Sequence, residues 1–144
     1  MKKNTLILLA AVALASNFFF GTAPVIAAKV PAGSTVTAYY FHGNFRCPTC
    51  HKLEEYAKEA IESNFKNDLA SGKLSFKIVN IENKGNERYA KDYQLYTKSV
   101  VLSLTKDGKE IRYKNLDKVW EYVRNKDRYE NYVRDEVTAF LKEA

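Results

Sequence analysis

Apolar and polar residues follow two different periods along the chain. Residues Thr35 to His42, TVTAYYFH, form a nearly unbroken run of β-branched and aromatic side chains. That is the pattern of a central, buried strand. GNFRCPT then reads as a loop. From Cys50 the period changes: Leu53, Tyr56, Ala57, Ala60, Ile61, Phe65 and Leu69 recur at steps of three and four. This predicts one helix with a single apolar stripe, ended by Ser71-Gly72. KLSFKIVNIE (73–82) predicts a second strand. NKGNERYAKDYQL predicts a polar turn and a helix of about two or three turns. SVVLSLT (99–105) is a third, strongly apolar strand, and KEIRY (109–113) is a short fourth. Asp107-Gly108 between them is a hairpin signal. Two further helical stripes close the chain. Leu116, Val119, Trp120 and Val123 form one; Tyr129, Tyr132, Val133, Val137, Phe140 and Leu141 form the other, with a break expected at RNKD (124–127).

The resulting order is β-α-β-α-β-β-α, an α/β chain. A strand–helix–strand crossover demands a parallel pair, and the hairpin adds an antiparallel strand. The expectation is a mixed four-stranded sheet with helices on both faces.

Residues before 29 follow another pattern. A positive start, MKK, precedes an apolar run from Thr5 to Gly21, and small residues suit cleavage after Ala27 or Ala28. This is the layout of a secretory signal peptide, leaving one domain over 29–144. The expected destination is the periplasm or the exterior, with no membrane association after cleavage. Formal charge is +6, which falls to +4 once Lys2 and Lys3 are removed, since residues 1–28 hold no other charge. The remaining basic residues are interspersed with acids, so the pattern is a solvated surface, not a nucleic-acid face. The expected state is a monomer.

Both cysteines and both histidines fall within YYFHGNFRCPTCHK. Cys47 arrives where a strand and loop give way to a helix. Backbone N–H groups there lack helical partners, and the helix dipole adds roughly half a positive charge. A thiolate is stabilised at such a place, so the Cys47 pKa should fall below the free value of about 8.5. Pro48 suits the first turn, where its missing N–H costs nothing. Cys50 lies one turn deeper, within reach of Cys47. The outer thiolate attacks a substrate disulfide and the inner thiol resolves the mixed disulfide. His42 and Arg46 are the nearby cations able to lower the thiolate pKa further, and Thr49 lies between the sulfurs. Outside a reducing compartment two thiols this close tend to form a disulfide. No cofactor is needed, and the partner is a protein thiol or disulfide or a membrane redox protein.

Three other readings share the motif. CPTCH matches the attachment pattern of a c-type haem, although only His42 is left to supply a second axial ligand. His42, Cys47, Cys50 and His51 number enough for a zinc or copper site, serving a binding or electron-carrier module; Cys50 and His51 diverge by about 100° on a helix. A purely structural staple closes too short a loop to constrain the unfolded chain much.

From Val36 to Tyr113 the chain resembles the thioredoxin-like superfamily: a buried strand, C-P-x-C at a helix start, then βαββ. YYFHG followed by RCPTC, with the closing VWEYVRNKDRYENYVRDEVTAFL, is similar to small exported bacterial thioredoxin-like proteins that carry the name of a nitrophenyl-compound nitroreductase subunit of the ArsF type. The resemblance implies a minimal thioredoxin-like fold, thiol–disulfide exchange at Cys47 and Cys50, and a substrate groove formed by Pro48, Thr49, Lys98 and Ser99. Two departures matter. The superfamily places a cis-proline where this chain has Ser99, so a trans Lys98–Ser99 bond is expected, because a cis bond before a non-proline costs about 3–4 kcal/mol. It also buries a carboxylate beneath the inner cysteine, whereas residues 35–45 contain no acid, leaving His42 as the candidate base.

Overall fold

The computed structural model describes residues 33–144; the expected signal segment lies outside the described residues. Among these described residues nine elements follow one another: β1 (Ser34–His42), α1 (Pro48–Asn64), α2 (Lys66–Ser71), β2 (Leu74–Asn80), α3 (Arg88–Asp92), β3 (Ser99–Lys106), β4 (Lys109–Asn115), α4 (Val119–Tyr122) and α5 (Lys126–Glu143). The strands form one sheet in the order β2-β1-β3-β4. β1 runs parallel to β2 and antiparallel to β3, with Tyr39 opposite Lys77 on one side and Val101 on the other. β3 and β4 form the antiparallel hairpin, in which Ser103 faces Tyr113. Asp107 (φ 49°) and Gly108 (φ 80°) both take left-handed conformations at its turn, the geometry that Asp-Gly favours. This is the mixed four-stranded sheet expected from the strand pattern.

The two sheet faces are unequal. Val36, Ala38 and Tyr40 of β1 and Val100, Leu102 and Leu104 of β3 pack against Leu53, Ala57 and Ile61 of α1 and Val133, Val137 and Phe140 of α5. Phe41 and Val101 point the other way, into a smaller cluster with Tyr93 and Leu95, flanked by Tyr39 and Tyr89. α3 spans only Arg88–Asp92, shorter than its sequence suggested, and Gln94 beyond it takes φ 51°. The β1 run is therefore mixed in kind: its first half alternates half-buried Thr35 and Thr37 with buried Val36 and Ala38.

The helix expected to run from Cys50 to Leu69 breaks at Phe65, where φ and ψ are −127° and 37°. The Asn64 side chain donates to the Ala60 carbonyl at 2.7 Å. Such a local side-chain bond competes with the helical ladder. Phe65 turns inward to 8% exposure and the chain resumes as α2. Gly72, at φ 76°, ends α2 in the left-handed conformation expected of it. The C-terminal break falls at Asn125, whose side chain caps α5 by accepting from Arg128 N at 3.0 Å. No helix among the described residues is long and apolar enough to cross a membrane.

Candidate functional site: the helix-capping dithiol

β1 ends at His42, a short loop follows, and Cys47 occupies the N-cap of α1 in extended conformation. Its Sγ accepts from the Cys50 N–H at 3.2 Å, and its carbonyl accepts from His51 N at 3.1 Å. The sulfur thus does what a Ser or Asp oxygen does at other helix starts. A thiolate would accept the same bond with charge assistance. No acid occupies the first turn of α1, so no carboxylate of that turn opposes the positive helix end. Cys47 and Cys50 are joined as a disulfide, with Cα atoms 5.0 Å apart. Cys47 is half-buried, whereas Cys50 is 1% exposed. Pro48 and Thr49 between them are exposed.

Two buried tyrosines fix the first turns of α1. The Tyr40 hydroxyl donates to the Cys50 carbonyl at 2.7 Å, and the Tyr129 hydroxyl of α5 donates to the Leu53 carbonyl at 2.7 Å. Burial pushes the Tyr40 pKa up to about 12, against a smaller lowering by Arg46. Burial raises Tyr129 further still. Both hydroxyls remain protonated donors at any physiological pH.

Arg46 links the motif to its surroundings. Its Nη2 donates to Glu54 Oε2, and its Nη1 lies 3.4 Å from His42 Nε2. His42 Nδ1 is 2.9 Å from the Gly43 carbonyl. The guanidinium only donates, so in that contact His42 Nε2 faces Arg46 as the acceptor. The Arg46 guanidinium carbon lies 6.0 Å from the Tyr40 ring centroid, which sets the charge beside the first turn of α1. Arg46 Nε is buried and has no hydrogen-bond partner among the described residues.

The structure brings His42, Arg46, Cys47 and Cys50 into one neighbourhood and sets Glu54 beside Arg46. Residues 35–45 hold no acid; the carboxylate beside the motif is that of Glu54 on α1, paired with Arg46. The other two groove candidates come from the start of β3. The Lys98–Ser99 peptide is trans. Ser99 is 5% exposed and its Oγ donates to the Thr97 carbonyl at 3.0 Å. The Lys98 carbonyl accepts from Trp120 Nε1 at 2.8 Å, and Lys98 Nζ lies 5.5 Å from the exposed Phe45 ring centroid. Among the described residues, no three His, Cys, Asp or Glu side chains converge as metal ligands, so His42, Cys47, Cys50 and His51 do not form a ready-made site.

No protein-family model matches the chain, and no curated protein matches it in sequence. Among solved structures, a thioredoxin from Fasciola hepatica is similar at 19% identity with a TM-score of 0.39, covering 65% of this chain and 81% of its own. Thioredoxin O2 from Arabidopsis thaliana, in the oxidized state, is similar at 13% identity and a TM-score of 0.39, covering 66% and 76%. Trxlp from Edwardsiella tarda EIB202 gives 16% identity and a TM-score of 0.36, covering 59% and 72%. At this level of likeness, the fold rests on the strand order and directions described above.

Proposed function

We propose that the chain is a thiol–disulfide oxidoreductase working through its Cys-Pro-Thr-Cys pair. The observation that carries this reading is the asymmetry of the two sulfurs: half-buried Cys47 caps α1, and Cys50, bonded to it, is sealed beneath. In the reducing direction the Cys47 thiolate attacks a substrate disulfide, forming a mixed disulfide and releasing one substrate thiolate. The Cys50 thiolate then attacks the Cys47 sulfur, expelling the second substrate thiolate. Two electrons pass to the substrate and the protein disulfide forms; the reverse sequence oxidises a dithiol. Cys47 and Cys50 exchange the bond, Arg46 sets the charge beside it with His42 and Glu54 as its contacts, and Pro48, Thr49, Lys98 and Ser99 border the approach.

The disulfide favours exchange over the haem and metal-carrier readings, because it engages both sulfurs those readings would need. The likeness to ArsF-type nitroreductase subunits contributes the dithiol motif to this reading and no further chemistry. The proposal extends to export, on the pattern of residues 1–28. N-terminal sequencing of the protein from an envelope extract should then begin at Ala28 or Lys29.

Insulin reduction and dithiol oxidation by the 29–144 chain test the activity. Cys47→Ser should abolish both; equal rates for variant and parent reject the reading. The reduction potential assigns direction, from about −120 mV for a strong oxidant to about −270 mV for a reductant.

A further inference from the structure

Beside the dithiol lies a cleft of about 270 Å³ lined by Thr49, Lys52, Trp120, Val123 and Arg124. Thr49 stands between the two cysteines, so this cleft begins at the motif itself. Lys52 is one turn further along the outer face of α1, and Arg124 follows α4. Among the described residues, neither cation takes part in an ion pair, and no carboxylate lines the cleft. The α1 N-terminus nearby has no acid in its first turn. The apolar part of the wall is Val123 and the ring of Trp120, which is 38% exposed and held by its bond to the Lys98 carbonyl. On the His42 side the neighbouring cleft differs: it holds Glu82 as well as Lys98. Two cations without a carboxylate thus line only the Thr49 side of these two clefts.

Sites for free small molecules run from about 300 to 1,000 Å³. At about 270 Å³ this cleft lies at the small end of that scale, with room for one or two side chains of a longer chain.

We infer that the cleft seats an acidic segment of the partner protein, next to the cysteine that exchanges with Cys47. Carboxylates of that segment face Lys52 and Arg124, and its aliphatic or aromatic portion lies on Val123 and Trp120. The inference rests on the disulfide-exchange reading and gives it a substrate class: proteins whose reactive cysteine is flanked by Asp or Glu.

Trp120 is the only tryptophan of the chain, so its fluorescence reports occupancy whether or not exchange occurs. Oxidised protein is titrated with two thiol-free peptides, one glutamate-rich and one lysine-rich, each carrying a leucine. The glutamate-rich peptide should change Trp120 emission saturably, and the lysine-rich peptide should not. Combined Lys52→Glu and Arg124→Glu substitution should weaken the acidic peptide by on the order of tenfold or more. The response should fade as salt shortens the Debye length from roughly 30 Å at 0.01 M to roughly 3 Å at 1 M. Lys66→Glu, on α2, should bind as the parent does. No saturable response, equal responses to both peptides, or unchanged affinity in the double variant overturns the inference. Exchange with a small neutral disulfide is measured in parallel. Its failure rejects the oxidoreductase reading while the binding result stands on its own.

Discussion

Arg46 is the residue through which the surroundings act on the sulfurs. It sits directly before Cys47, ties to Glu54, and rests by the ring of the tyrosine that holds Cys50. Its charge favours a thiolate nearby, and Glu54 partly cancels that charge. The two residues should therefore shift the Cys47 pKa in opposite directions. Arg46→Met leaves an uncompensated carboxylate and should raise it by about one unit, the lower end of the range for a nearby charge. Glu54→Gln keeps an acceptor for Arg46 but removes the negative charge, and should lower it. One pKa unit and about 30 mV both correspond to about 1.4 kcal/mol, so the reduction potential should shift on a comparable scale. Alkylation of the reduced protein as a function of pH reads the sign directly; shifts of the same sign would speak against the charge pair. His42, Arg46, Cys47 and Cys50 were legible because one short stretch holds them. Glu54 was not, because its part depends on Arg46 folding back along the helix.

The helix α1 is held at its reactive end by hydroxyls from two other elements, and its stability should show this. Tyr40→Phe removes the bond to the Cys50 carbonyl and Tyr129→Phe the bond to the Leu53 carbonyl. Each should cost about 0.5–1.5 kcal/mol in urea unfolding, with little change in the core packing. The raised Tyr40 pKa gives a pH signature as well. Below pH 10 both folded and unfolded forms carry the proton, and stability does not depend on this group. Above 10 the unfolded tyrosine ionises while the folded one holds its proton to about 12, so stability falls across that window. Tyr132, raised to about 12 by burial, adds in the same sense. Tyr40→Phe should flatten the decline; an unchanged alkaline profile would count against a buried, protonated Tyr40. Most elements were readable from periodicity, and the Asp-Gly hairpin from its turn chemistry. The break at Phe65 was not, because Phe65 and Leu69 continue the apolar stripe while Asn64 competes for a backbone carbonyl. The tyrosine contacts were hidden for a different reason: Tyr40 reads as one more apolar residue of a buried strand.

At the scale of the molecule, the dithiol helix belongs to the same core as a helix that begins far later in the chain. Leu53, Ala57, Ala60 and Ile61 share one cluster with Tyr129, Val133, Val137 and Phe140. The lysine at the start of α5, Lys126, also pairs with Glu59 of α1 at the surface, where such a pair contributes little. The sequence showed α5 as an amphipathic stripe but not which element it would cover, since the partner of an apolar face is a property of the whole fold. Its removal should be decisive. A chain ending at Asn125 loses the buried Val133, Val137, Phe140 and Leu141, each contributing about 1.5–3 kcal/mol. That loss compares with the whole stability of an ordinary domain, about 5–15 kcal/mol. It also uncovers α1 and the inner face of β1 and β3. The shortened chain should show no cooperative urea transition and no near-ultraviolet circular dichroism from packed aromatics, although the four strands and the dithiol are intact in sequence. Phe140→Ala should instead keep the fold and lose about 3–5 kcal/mol. A cooperative transition in the shortened chain would mean that β1–β4 and α1 stand alone, and that α5 is not what holds Cys50 in place.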